Sequence, residues 1–474
     1  MCSYTYHKTK LSARLLFAGL TLRKQGLGLI PTQSNPSRRT HSLPKLSPFT
    51  EHSQRQKLTD EVHSRPPADV PGPMVCTHLA FLTGENGFES ERTHLRELAA
   101  LLGAKAPGDF GNHLVLELGK TRLVWERHTE FSTYTFYEAL TADTAPADAF
   151  SRPPLARLPE RWKEKLTGEL LVAINLVVTD GESTEMDPHL SAIFDDHRLV
   201  GAGVAGGSAA VWTDLTIKPD GFSRLLIANR NLRPSRMGRL VQRLLEIETY
   251  RMMALLAFPL ARALAPEISR MEEELARIAT ETASISGLAD EQRQLQELTS
   301  LAAKVEQLTA RTDFRFSAAR AYYELVTRRI GELDERKLPG LQQIATFMER
   351  RLAPAMRTSE AIERRLDTLS QHIARASSLL RTRVEIAVQE QNQSLLASME
   401  KRVRLQLRLQ ETVEGLSAVA ISYYLLGIIH YALEAAHEAG LPVDPALTVG
   451  ILSPFMLIAV FLGVRSVRKR LKAD

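Results

Sequence analysis

Two charge-free apolar stretches near the C-terminus constrain this chain more than any other feature. Gly415 to Leu433 contains no Asp, Glu, Lys or Arg, and neither does Pro445 to Val464. A bilayer core about 30 Å thick is spanned by ~20 apolar residues in a helix rising ~1.5 Å per residue, so each stretch is long enough to cross once. Between them, residues 434–444 carry Glu434, Glu438 and Asp444 but no Lys or Arg. Lys401, Arg402, Arg404 and Arg408 precede the pair, and Arg465, Arg468, Lys469, Arg470 and Lys472 follow it. Positive charge is retained in the cytoplasm. The sequence therefore predicts a transmembrane hairpin with two spans, both termini cytoplasmic, and the lipid bilayer as the first partner.

The rest of the composition is that of an ordinary folded chain. At 474 residues, 24% charged and 44% hydrophobic, there is room for two or three domains. The net charge of +5 is concentrated at the start: residues 1–50 hold Lys8, Lys10, Arg14, Arg23, Lys24, Arg38, Arg39 and Lys45 and no acid. Without that segment the chain is slightly acidic, so its charge gives no argument for nucleic acid. Two cysteines, Cys2 and Cys76, cannot build a disulfide framework or a thiolate metal site, in keeping with a reducing compartment. Residues 1–45 read as a disordered basic extension; Leu15 to Leu22 is short for a signal peptide and no small-x-small cleavage site follows.

Four further blocks follow. Residues 46–234 are mixed, with β-rich pieces at His113–Leu118, Leu123–Phe136, Glu169–Val178, Ala209–Ile217 and Phe222–Asn229. Pro219-Asp220-Gly221 joins the last two as a hairpin turn, because Pro presets φ and Gly accepts φ > 0. One helix is expected early, capped by Ser90, with Leu95, Leu98, Ala99 and Leu102 on its apolar side and Gly103 ending it. Residues 235–414 read as a helical stalk, capped at Ser235, with breaks at Pro259, Pro266, Pro339-Gly340 and Pro354. Ile362, Leu366, Leu369, Ile373, Ala376 and Leu380 are spaced 4, 3, 4, 3, 4, a heptad seam; Leu295, Leu298, Ala302 and Val305 form a shorter one. Residues 415–464 are the hairpin and 465–474 a basic cytoplasmic tail. The fold class expected is an α+β cytoplasmic domain, then a long antiparallel or coiled-coil helical stalk, then a two-helix transmembrane hairpin.

Candidate site residues lie mostly in the mixed block. Read as one strand, Trp125 to Phe131 puts Glu126, His128 and Glu130 on one face and Trp125, Arg127, Thr129 and Phe131 on the other. Carboxylate–imidazole–carboxylate could take a divalent metal or move protons, although alternate strand positions stand ~7 Å apart. The plainer expectation is a solvated sheet face with Trp125 and Phe131 packed inward. His63, in Asp60-Glu61-Val62-His63-Ser64-Arg65, and Asp195, Asp196 and His197 would join a polar cluster if the fold gathered His63, His128 and His197. No cofactor is specified otherwise. Gly201-Ala202-Gly203-Val204-Ala205-Gly206 is a literal G-x-G-x-x-G, but a strand-like stretch follows it where a dinucleotide site needs a helix, so a tight turn is expected. In the membrane stretch, Tyr423, Tyr424, Gly427 and His430 are the candidates; His430 lies close to the outer interface, where His and aromatic rings sit comfortably. Gly427 and Gly450, with Ser422 and Ser453, are expected to let the two spans approach closely.

Several phrases together resemble a bacterial family of membrane-anchored proteins known only as a domain of unknown function: TDEVHSRPP (Thr59–Pro67), WERHTEF (Trp125–Phe131), VGAGVAGGSAAVW (Val200–Trp212), LIANRNLR (Leu226–Arg233) and TVEGLSAVAISYYLLG (Thr412–Gly427). The resemblance covers about residue 46 to the end, implies a bacterial inner membrane, and brings no activity. In layout the chain is also similar to the CorA-type magnesium channels. These carry Gly-Met-Asn after the first span, where this chain reads Ile428-Ile429-His430-Tyr431.

Three functions follow, in this order: a membrane-anchored scaffold or interaction protein with unidentified protein partners, a CorA-like oligomeric cation channel or transporter, and a membrane-tethered metal-dependent enzyme. A homo-oligomer fits the first and is required by the second. A scaffold predicts no pocket in the mixed domain; an enzyme predicts that Glu126, His128 and His197 converge.

Overall fold

The computed structural model describes residues 52–55, 58–59, 69–84, 87–108, 110–181, 188–195, 197–285, 287–439 and 442–471. His63, Asp196 and the whole basic extension, residues 1–45, lie outside the described residues. Contacts divide the chain into Met1–His63 and Ser64–Asp474; everything below belongs to the second unit.

Its centre is a mixed nine-stranded sheet. In chain order the strands are β1 (Met74–Leu82), β2 (His113–Leu118), β3 (Thr121–Arg127), β4 (Phe131–Ala139), β5 (Glu169–Asp180), β6 (Val200–Val204), β7 (Ala209–Thr213), β8 (Ser223–Asn229) and β9 (Arg336–Lys337). Across the sheet they run β2-β3-β4-β1-β5-β8-β7-β6-β9, antiparallel except for the β5–β8 pair. The expected piece 123–136 is two strands, because the chain turns between Arg127 and Phe131, where the His128 N–H donates to the Phe131 carbonyl at 2.8 Å. β1 was not expected. It is buried on both faces, so its apolar residues do not alternate with polar ones and period two is absent.

Helices cover both faces. On one, Cys76, Ala80, Ile174, Leu176, Val211 and Ile227 meet Met237, Leu240, Val241 and Leu244. On the other, Leu123, Trp125, Tyr134 and Phe136 meet Leu95 and Leu98 of α1 (Phe88–Leu101), while Val75, Val177 and Trp212 meet Phe150, Leu190 and Phe194. Helix α1 starts at Phe88, so Ser90 sits inside its first turn and does not cap it; Gly103, at φ +69, ends it as expected. Glu91 at 0% exposure accepts from Arg127 at 3.1 Å and from the Trp125 indole at 3.2 Å, which rivets α1 to β3. Short helices α2 (Pro146–Ser151), α3 (Glu160–Lys163) and α4 (Pro188–Ile193) fill the same side.

A long helical region follows: α5 (Pro234–Leu255), α6 (Ala257–Thr282), α7 (Leu288–Gly331), α8 (Ile344–Glu438) and α9 (Pro445–Leu471). Pro234 itself opens α5 in the first turn, where its missing N–H costs nothing, so Ser235 is not the cap. Pro259 likewise falls in the first turn of α6. Pro266 and Pro354 do not break their helices. Each lost hydrogen bond and ring clash costs ~3 kcal/mol, and around Pro354 the buried Leu352, Ala353 and Met356 offset it. Pro339-Gly340 lies in the loop between β9 and α8, with Gly340 at φ +76, after α7 has already ended at Gly331.

The expected seam residues Ile362, Leu366, Leu369, Ile373 and Leu380 are buried, as are Leu298 and Val305. Arg365–Glu272, Arg320–Glu363 and Arg383–Glu291 ion pairs tie α8 to α6 and α7. These pairings set α8 parallel to α6 and antiparallel to α7. At Arg383, which also donates to the Thr282 carbonyl, the bundle stops and α8 goes on alone. Its far end packs against α9.

Among the described residues, three helical stretches are long and apolar enough to cross a membrane: Pro234–Thr282, Ile344–Glu438 and Pro445–Ser466. The first was not expected. Its apolar window is 33% buried inside the protein, against 11% and 0% for the other two.

Candidate functional site

A cavity of about 280 Å³ opens between the sheet and α5. Two periodicities build it. On the sheet side, Val124 and Glu126 of β3, Phe131, Thr133, Thr135 and Tyr137 of β4 and His78 of β1 point the same way at period two. On the helix side, Gln242, Leu245, Glu246, Thr249 and Tyr250 recur at i, i+3, i+4, i+7 and i+8, one face of α5. His128, in the β3–β4 turn, and Arg329 of α7 complete the lining.

His78 ties the two walls together. Its Nδ1 lies 2.8 Å from Thr135 Oγ1 and its Nε2 3.0 Å from Thr249 Oγ1. Burial lowers its pKa to about 4, so the ring is neutral at pH 7 and needs only these two hydroxyls. Burial, reinforced by neighbouring Cys76 and Glu126, pushes the Tyr137 phenol well up and keeps it protonated. Glu246 accepts from Gln242 at 2.9 Å and from Arg329, and Arg329 continues to Glu332 and Arg243. One rim of the cavity is therefore a fixed ionic network. Opposite it, His128 stacks on Phe131 with centroids 4.2 Å apart. The Thr133 hydroxyl is buried at the cavity wall with no hydrogen-bond partner among the described residues.

The structure separates the expected cluster. Glu126 and His128 line one cavity, as their shared parity implies. Phe131 joins them there instead of packing with Trp125, because the turn at 128–130 restarts the alternation; the expected solvated face is a cavity wall. Glu130 lies outside the lining, paired with Arg315 and hydrogen-bonded by Tyr322 of α7. Asp195 and His197 belong to a different cluster on the opposite face, beside Phe194. There Lys218, 1% exposed, donates to Asp214 at 2.7 Å, Asp195 at 2.9 Å and the Phe194 carbonyl at 2.9 Å. His197 Nδ1 stands 3.0 Å from both Lys218 Nζ and Asp214. Burial alone would raise the Asp214 carboxyl, but hydrogen bonds from Lys218 and Thr216 hold it below the usual range; the Lys218 hydrogen bond lowers Asp195.

Four strands separate β3 from β7, roughly 24 Å at ~4.8 Å per step. The convergence of Glu126, His128 and His197 is thus overturned, and with it any gathering of His128 with His197. Among the described residues no three His, Cys, Asp or Glu side chains come together to hold a metal ion.

The G-x-G-x-x-G stretch is the β6–β7 hairpin, turning through Gly206 at φ +69 and Gly207 at φ +91. A Cβ on Gly201 would fall 2.8 Å from the Val211 carbonyl oxygen, so this glycine serves close strand approach.

In the apolar stretch, Tyr423 and Tyr424 are 75% and 70% exposed and His430 is half-buried. A Cβ on Gly427 or Gly450 would meet nothing within 4 Å, so the glycines do not bring α8 and α9 together; Ala418 and Ser422 of α8 are the buried pair. Sequence reasoning missed His78, Thr133, Glu246, Asp214 and Lys218. The signal available was an ionisable residue inside an apolar run for His78, and for Glu246 a charge on the apolar face of a helix.

Residues 50–471 match the model of the family described as a protein of unknown function (DUF3422), and the chain belongs to that family. The search of curated proteins found no match. The family match gives no support to the CorA-type likeness.

Proposed function

We propose, taking membership of a family without assigned chemistry as the premise, that the chain is a membrane-anchored scaffold or interaction protein of the inner membrane. On this reading α8 and α9 cross the bilayer as a hairpin, both termini stay in the cytoplasm, and the sheet and bundle are held off the lipid on a rod of α8. One observation carries it. From Arg381 to Val413 no side chain of α8 is buried, and the helix passes without a break into the charge-free stretch from Gly415. Water would meet a lone helix displaying Leu416, Val419, Ile421 and Ile428, whereas a bilayer solvates that surface. Two spans are favoured over three because Met237, Leu240, Val241 and Leu244 of α5 are spent in the protein core.

Alkaline washing of membranes is the test. The full chain should stay in the pellet, and a chain ending at Arg408 should move to the soluble fraction with its thermal unfolding intact. If both partition alike into the soluble fraction, the reading fails.

The cavity favours a second, compatible reading: the sheet domain binds a small polar ligand against Glu126, His128 and the Thr133 hydroxyl. A hydroxyl buried without a partner costs about 1–3 kcal/mol, which a ligand could recover. A bare scaffold predicts no pocket in this domain, so the cavity counts against a purely scaffolding role. Thermal-shift screening of the full chain in detergent against small polar metabolites tests it. A ligand at a hundred times its Kd adds about 2.7 kcal/mol, and both Glu126→Gln and Thr133→Val should remove the gain. A hit whose shift survives both substitutions would contradict the assignment.

A further inference from the structure

The rod of α8 carries an uncovered seam. Upstream, Ile362 to Leu380 is packed on α6 and α7; beyond it, steps of four through Val384 and Val388 carry the apolar line out of that register before heptads resume. Val388, Leu395, Leu409 and Leu416 repeat at one position, with Arg402 in the gap, and Met399 and Val413 at the other, with Asn392 and Gln406 between. Leu395, Met399, Leu409, Val413 and Leu416 are 55–73% exposed. The apolar strip runs for about 45 Å along the rod at ~1.5 Å per residue.

Charge is sorted against it. Every charged residue between Gln389 and Gly415, Arg402 excepted, falls on the three heptad positions that face away from the seam. A helix surrounded by water on all sides has no reason to sort its charges.

The second apolar helix does not cover the seam either. α9 packs on Ala418 and Ser422, which lie on the outward-facing positions, and leaves Leu416 and Tyr423 on the seam exposed.

We infer that the occupant is a second copy of this chain, packed in parallel and in register along Val388 to Leu416. The heptad repeat of the rod itself supplies the packing pattern. Asn392 and Gln406 select an identical partner, because in register each meets its own copy across the axis and finds a donor and an acceptor. The parallel direction rests on the membrane reading above, since every copy enters the bilayer from the same side; the seam itself does not.

Oxidative cross-linking of the full chain in its membranes tests this, with Cys2 replaced by Ser and Cys76 left buried. Leu395→Cys and Leu409→Cys should each give a product of twice the chain mass, and Arg404→Cys, on the outward face, should fall to background. Two differently tagged copies, both captured in that product, establish identity. If neither seam position cross-links although maleimide labels both, self-association is overturned and the membrane anchor stands. If Leu395→Cys joins only Leu409→Cys, the packing is antiparallel, and the shared direction of insertion fails with it. A product containing a different polypeptide overturns the identity of the occupant.

Discussion

At the scale of single residues, His78 ties the cavity to stability. In the unfolded chain its pKa is ~6.5, and in the fold burial lowers it to about 4. Between those values the unfolded state binds a proton that the native state refuses, so stability is full above about pH 6.5 and falls as pH drops towards 4. The whole window corresponds to an upper limit on the order of 3 kcal/mol at 1.36 kcal/mol per unit. His78→Gln keeps partners for Thr135 and Thr249 but does not titrate. Thermal unfolding of the full chain from pH 7 to 4.5 should therefore give a shallower acid slope in the variant; parallel curves would contradict the assignment. His94, also lowered by burial, titrates in both proteins and cancels in the comparison. At this scale the sequence exposed parity and little else. Period two put Glu126 and His128 together, whereas Glu130 left their group because a three-residue turn resets the alternation. Lys218 and Asp214 reach Asp195 and His197 through non-local pairing that no local pattern encodes.

At the scale of elements, α8 is one helix in two environments. Leu366 is buried in the bundle and Leu409 is 60% exposed on the rod. Leu366→Ala removes packed methyl groups and leaves a cavity, a change that costs about 2–5 kcal/mol. Leu407→Ala, on the outward face of the rod and off the seam, touches nothing in the bundle. Urea unfolding followed by circular dichroism should show a lowered midpoint for Leu366→Ala and an unmoved one for Leu407→Ala. A large loss for Leu407→Ala would mean that the rod folds back on the bundle. The bundle seam was legible because 3.5-residue spacing survives in sequence. The prolines misled because a Pro in a first turn is harmless and one inside a packed helix is outweighed. β1 stayed hidden because a strand covered on both faces loses its alternation.

At the scale of the whole molecule, a mixed sheet block followed by a long helical region could be read in advance, and the long-range closures could not. Arg336 and Lys337, between two bundle helices, return to pair with Gly203 and Ala202 at the edge of the sheet, which locks the helical region to the sheet domain. The cavity too is assembled from distant parts of the chain, its walls coming from β1, β3, β4, α5 and α7. The account's central claim is that this assembly hangs on one side of a membrane from two crossing helices. The most direct test is cysteine accessibility in intact cells with an impermeant maleimide, comparing Glu438→Cys between the spans with Ser466→Cys after them. The account predicts labelling at 438 from outside and at 466 only after lysis; protection of both until lysis, or the reverse order, would contradict it.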